Sequence, residues 1–300
     1  MSDAATSGSG VEPVDPVVAV TQRRKRGPLG RLIANPLSAI GLALVVCAIA
    51  VAAAAPLIAP DDPLAMAPDL RLAPPSLAHW MGTDDGGRDI LSRVIFGARS
   101  SLLTALGILA MASVVGAAIG LAAGYFGGWV DEILMRVTDM FLAFPALVLA
   151  MAMAAALGPS LFNATVATAV VWWPWYARLV RGQTLHLKHE AFVESARVSG
   201  ASVLRITVLH ILRNCLTPII VQVSLDIGYA ILTLSSLSFI GLGAQPPAPE
   251  WGSMVSLGRD YFLEQWWMVT FPGLAIFLSV MAFNLLGDGL QEALSPRLRR

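Results

Sequence analysis

"EAFVESARVSGASVLRITVLHIL", residues 190–212, is a charged, helix-forming stretch with a glycine at its middle, set in a chain otherwise dominated by apolar runs. On a helical wheel Phe192, Ala196, Ser199, Val203 and Ile206 recur every three or four positions, while Lys188, Glu194, Arg197 and Arg205 fall largely off that stripe. Gly200 interrupts the pattern. A glycine readily takes the left-handed conformation that ends a helix, and Ser202 is then placed to cap the next one. The stretch therefore predicts two short helices at an angle, outside the bilayer. An amphipathic helix there either lies on the lipid surface or inserts into a groove of another protein, and periodicity by itself favours the surface.

Composition says what surrounds this stretch. The chain has 300 residues, 56% apolar and only 13% charged, with a mean hydropathy of +0.69. Soluble domains carry about 25% charged residues, so the long apolar runs here face lipid and the protein is an integral, all-α membrane protein. The net charge is zero, which argues against nucleic acid as a partner. Cys47 and Cys215 both fall in or beside apolar runs and read as small buried hydrophobes rather than a disulfide or metal pair.

A transmembrane helix needs about 20 apolar residues. Six such runs are expected, at 37–59, 100–124, 133–157, 161–181, 212–241 and 268–290. The first starts too far from Met1, and is too long, to read as a cleaved signal. Residues 1–36 form a cytoplasmic tail, disordered at its start and basic at its end. The segment 60–98 is an external loop, 99–293 holds the remaining spans with the cytoplasmic loop 184–211, and 294–300 is a basic C-terminus. Orientation follows from lysine and arginine. With the N-terminus inside, Arg23, Arg24, Lys25, Arg26, Arg31, Arg136, Arg178, Arg181, Lys188, Arg197, Arg205, Arg213, Arg297, Arg299 and Arg300 are cytoplasmic. Only Arg71, Arg88, Arg93, Arg99 and Arg259 are external, so both termini are placed inside. Trp172, Trp173, Trp175, Trp266 and Trp267 read as interfacial anchors.

Within the second span Ala112, Gly116, Gly120 and Gly124 repeat a small residue every fourth position, a stripe along which another helix can approach closely. Asp226 is the one ionisable residue deep in a span, which makes it a candidate for the translocation path, with a helix-joining hydrogen bond as the plainer alternative. Arg136 and Asp139, three apart, are expected to pair with each other.

The opening stretch resembles the conserved cytoplasmic loop of bacterial ABC importer permeases, with the pattern Glu-Ala-Ala, three residues, Gly, nine residues, Ile, one residue, Leu-Pro. Here Glu194-Ser195-Ala196 precedes Gly200 at that spacing, and His210, Leu212 and Arg213 follow. Arg213 in place of proline bears on the sharpness of the turn back into the membrane. "GTDDGGRDILSRVIFGARSSL" (82–102), "YARLVRGQTL" (176–185), "LSFIGLGAQPPAPEWGSM" (237–254) and "FNLLGDGLQEALSPRLR" (283–299) resemble one branch, the permeases of dipeptide and oligopeptide importers. Leu234, where that branch often has Glu, and Asp226, where a small residue is usual, depart from it.

The resemblance implies a type I importer permease fold in the bacterial inner membrane. It also implies a second, homologous permease subunit, two ATP-binding subunits that hold ATP and Mg, and an external solute-binding protein that delivers peptide. Residues 190–212 would then be a coupling helix seated in an ATPase cleft. Phe192, Ala196 and Val203 would fill the groove, Glu194 and Arg197 would fix orientation, and Gly200 would set the angle between the arms, with Ser195 and Ala201 beside them. The chain itself has no phosphate loop, so it is read as a transporter subunit without cofactor and not as an enzyme. His79 with Asp84, Asp85 and Asp89 is a weak metal pattern, and no metal site is assigned. Within the same mechanism the cargo alternatives are nickel, a glutathione-like compound or another small solute. A self-sufficient secondary transporter is the remote one, since no internal repeat is evident.

Overall fold

The computed structural model describes residues 28–294. The basic run at 23–26 and the arginines at 297, 299 and 300 lie outside them. Helix α1, Pro28–Ala34, leads into α2, Pro36–Ile58. Proline at the first helical position costs α2 no hydrogen bond, and the Asn35 side chain accepts from the Leu37 N–H at 3.1 Å. Then follow α3, Ile90–Phe126, α4, Gly128–Leu142, α5, Ala146–Leu157, and α6, Leu161–Leu187. A short α7, Ala191–Val198, precedes α8, Val203–Phe239, whose Ile206–Leu212 turn is π-helical. Helices α9, Trp251–Gly258, and α10, Trp267–Leu294, complete the described chain.

Among the described residues four helices, α2, α3, α8 and α10, are long and apolar enough to cross a membrane. The expected third span is not one straight helix. Helices α4 and α5 pass the same test only together and meet at 88°, because Pro145 has no N–H to donate and takes an extended ψ of 122° before α5 begins. Helix α6 covers the expected fourth span in 27 residues, or about 40 Å at 1.5 Å per residue, but Arg178, Arg181 and His186 make its C-terminal part more polar than the other long helices. Helix α3 begins at Ile90, within the 60–98 segment expected to link the first two spans.

The tightest seam lies between α3 and α6. A Cβ on Gly116 would stand 2.5 Å from both the Trp173 carbonyl oxygen and the Tyr176 Cβ, and one on Gly124 would stand 2.6 Å from the Thr184 Cβ. Ala112 is buried on the same stripe. The bare glycine backbones thus bring the two helices together. A second seam joins α2 to α10, where Gly41 faces Leu285 and Leu286, and Asn35 donates to Glu292 at 3.0 Å.

Two expectations are corrected by this packing. Trp173 is not an interfacial anchor but a buried residue edge-on to Phe141 at 5.4 Å. Trp267 is likewise buried, its indole N–H donating to the Thr83 carbonyl at 3.2 Å, whereas Trp175 and Trp266 are exposed as an anchor requires.

Candidate functional site

The C-terminal ends of α3 and α6 and the N-terminal part of α8 form a platform for α7. Val193 is 0% exposed and sits in an apolar cluster with Leu121, Val180, Ile206, Ile211 and Cys215, with Ala196 and Ala201 packed against it. The helix ends in a Schellman motif. Gly200 has φ +78, its N–H reaches the Arg197 carbonyl and the Ala201 N–H reaches the Ala196 carbonyl, each at 3.0 Å. The Ser202 hydroxyl then accepts from the Arg205 N–H at 3.4 Å and starts α8. No turn separates this second arm from the membrane. Arg213, unlike proline, keeps the helix running, so the arm and the fifth apolar run are one 37-residue helix.

The orientation of α7 departs from the wheel in detail. Ala196 and Ala201 turn toward the protein's own helices, while Phe192, Glu194, Ser195, Arg197 and Val203 are exposed. Val198, 90% exposed, and Leu204 extend that outer apolar surface. Val193 was the residue that the sequence pattern missed, although its i, i+3 relation to Ala196 was available.

Ion pairs hold the platform. Arg181 grips Asp131 with two bonds of 2.5 and 2.6 Å, and Arg178 donates to Asp139 at 2.6 Å, so both tie α4 to α6. Lys188 donates to the Gly124 carbonyl at 2.9 Å, at the C-terminal end of α3. The expected pair of Arg136 with Asp139 does not form. Arg136 bonds Glu132 one turn earlier at 2.7 Å, and Asp139 lies on the side of α4 that meets α6. His186 lies 3.5 Å from Glu190 on the polar surface.

Asp226 sits partly buried in α8, accepting from the Tyr176 hydroxyl of α6 at 2.8 Å and from Gln222 at 2.9 Å. It therefore joins two helices while keeping further lone pairs free. Leu234 is fully buried among the core helices.

The segment between α2 and α3 is ordered by buried charge. Arg93, 1% exposed, donates to the carbonyls of Pro63 and Pro247 at 3.0 and 3.1 Å and lies 3.3 Å from Asp84. Asp84 also accepts from Arg88 Nε at 2.7 Å. So His79, Asp84, Asp85 and Asp89 do not converge as one metal site: Asp84 and Asp85 are engaged by Arg88. Glu250 caps α9, accepting from the N–H groups of Gly252 and Ser253 at 2.9 Å each. Burial pushes its carboxyl above the ordinary carboxylate range, against the opposing pull of these donors and the hydroxyls of Ser238 and Ser101. A group held this way binds its proton more tightly folded than unfolded, so its contribution to stability is full at acid pH and is lost as pH rises through the raised value. Glu250→Gln is expected to flatten the dependence of the melting midpoint on pH in that window; an unchanged slope would show that Glu250 does not titrate there.

Two family models match the chain. Residues 116–300 match one described as "Binding-protein-dependent transport system inner membrane component", and residues 29–75 match "N-terminal TM domain of oligopeptide transport permease C". The probable D,D-dipeptide transport system permease protein DdpC of Escherichia coli is 49% identical over 88% of each chain. The dipeptide transport system permease protein DppC of Alkalihalophilus pseudofirmus is 44% identical over 96% of this chain and 94% of its own. The glutathione transport system permease protein GsiD of Pectobacterium atrosepticum is 48% identical over 75% of each. In the solved structures, an inward-facing form of the MetNI methionine ABC transporter shares the fold with a TM-score of 0.53, covering 69% of this chain and 98% of that one at 17% identity. On this ground, and on a fold of long apolar helices with the short helix α7 docked against them, the chain belongs to the binding-protein-dependent transport system inner membrane components and is a permease subunit of an ABC importer, not an enzyme.

Proposed function

We propose that this permease takes up di- or oligopeptides, passing them from an external solute-binding protein through a pore formed with a second, homologous permease subunit. Two ATP-binding subunits, which hold ATP and Mg, drive it through α7. The relatives' peptide cargoes support the choice of solute. Six spans are inferred by counting α4 with α5 as one broken span and α6 as another. The N-in, C-in orientation puts α7 and its basic neighbours Arg178, Arg181, Lys188 and Arg197 in the cytoplasm.

The observation that carries the coupling role is mechanical. Helix α7 is locked to the inner ends of α3, α6 and α8 through Val193 and is joined by one glycine turn to a 37-residue helix. A push on the exposed face of Phe192, Glu194, Ser195, Arg197, Val198 and Val203 is thereby delivered to the spans, not absorbed by a loose loop. Ala196 and Ala201 act by seating the lever and Gly200 by setting its angle. Asp226, partly buried between α6 and α8, is assigned to the translocation path.

Gly200→Val tests the coupling. A Cβ there meets nothing within 4 Å, so the penalty is confined to the left-handed backbone, about 1–2 kcal/mol. The variant should still insert and co-purify with its partner subunits, while transport-linked ATPase activity falls at least about tenfold, the effect of roughly 1.4 kcal/mol. Normal coupled activity would remove α7 from the coupling path.

A further inference from the structure

The importer reading leaves three side chains of the outer segment without a role: Asp61, three residues beyond the end of α2, His79 in mid-segment, and Asp89 at the N-cap of α3. Their ligand atoms all lie within 4.8 Å of one another. His79 Nδ1 is 3.0 Å from Asp89 Oδ1 and 3.9 Å from Asp61 Oδ2. The side chains of Asp89 and His79 are 3% and 18% exposed, and that of Asp61 is 51% exposed, so the group is closed toward the protein and open toward water.

We propose that Asp61, His79 and Asp89 form a binding site for a zinc-type divalent cation on the outer face. Bonds of about 2.0–2.2 Å in a tetrahedron place neighbouring ligand atoms roughly 3.3–3.6 Å apart. The two separations from the histidine bracket that value, so small side-chain shifts complete the site. One imidazole nitrogen with two carboxylates suits zinc, whereas magnesium and calcium favour six or more oxygens. The carboxylate of Asp89 is held in orientation by its other oxygen, which accepts from both the N–H and the hydroxyl of Ser92 at 2.7 Å. The same Ser92 hydroxyl accepts the Asp61 N–H at 3.0 Å. One serine thus positions two of the three ligands, the kind of outer support on which metal sites depend. For His79 to bind through Nδ1, its ring proton must sit on Nε2, and the cation then replaces the hydrogen bond to Asp89. The bound ion would fasten the end of α2, the middle of the outer segment and the start of α3 at one point. The site is independent of the peptide assignment.

The test is zinc titration of the full chain in nanodiscs, freed of any purification tag, in competition with a chromophoric chelator. One zinc per chain is expected, with a raised melting midpoint. Asp61→Asn and His79→Gln should each weaken binding by about tenfold or more. Asp61 is half-exposed, so its variant leaves the buried cap of α3 intact, and His186→Gln serves as a surface control that leaves binding unchanged. No zinc bound, or equal binding by the wild type and both site variants, would overturn the proposal and leave His79 as a hydrogen-bonding strut between loop and helix.

Discussion

Gly120→Leu is expected to leave little folded protein, and even Gly120→Ala to lower the melting midpoint measurably. A Cβ at position 120 would overlap the Ala177 carbonyl oxygen and stand 2.9 Å from both the Arg181 nitrogen and the Val180 Cβ. Two of these obstacles are helix backbone, which cannot rotate away as a side-chain tip would. Helix α6 would have to shift as a body, and Arg181 carries the bonds that hold Asp131 of α4. Overpacking at such a seam costs about 1–3 kcal/mol for a methyl-sized change and more for leucine. For a chain of this size each kcal/mol corresponds to roughly 2–4 °C. Gly107→Ala, on the same helix but with only a 3.7 Å contact to Thr165, should stay within about 0.5 kcal/mol of wild type. Equal melting of the two alanine variants, followed by size-exclusion fluorescence, would show that the stripe at 112–124 does not set the approach of α3 and α6.

Asp84→Ala should disorder the segment between α2 and α3. The change strands the buried guanidinium of Arg93, which pairs with no other carboxylate among the described residues, and leaves Arg88 with Asp85 alone. It also takes the acceptor from the N–H groups of Gly86 and Arg88, bonded to Asp84 at 2.8 and 3.0 Å. Removing one member of a buried charge pair costs about 3–5 kcal/mol, because the remaining charge keeps its desolvation penalty. The consequence reaches beyond the loop, since Arg93 bonds Pro63 on one side and Pro247 on the other, residues that flank α2 and α9. The expected readout is a lower melting midpoint with faster amide exchange at both 60–89 and 242–258. A variant that melts as wild type would mean that Arg93 is held by its carbonyl partners alone.

The positions of the long helices were legible because apolar length and a period near 3.6 are local properties, present before any two helices meet. Gly200 and Ser202 were legible for the same reason. A left-handed turn and a side-chain cap are decided within a few residues, and both occur where the pattern 196–205 put them. The break at Pro145 was legible in principle, yet the apolar run 133–157 continues across it, and apolarity alone does not distinguish a straight span from a bent one.

Which partner each polar or aromatic group takes was not legible. Asp139 has Arg136 three residues away and Arg178 thirty-nine away, and it bonds the distant one because α4 lies against α6. Trp173 and Trp175 are two apart on one helix, and only the position of α4 makes the first a core residue and the second an exposed one. The inward turn of Val193 in place of Phe192, and the meeting of Asp61, His79 and Asp89, likewise arise from separate segments brought to one place.

The sequence by itself thus determined a multi-span membrane protein with an amphipathic arm outside the bilayer, since helix-forming and membrane-crossing tendencies are carried by short stretches of chain, while its resemblance to a family implied the permease. Only the tertiary structure decided how that arm is seated, which charges are paired and where the glycine stripe bears. Those outcomes depend on the distance between residues far apart in sequence, and side-chain packing sets that distance.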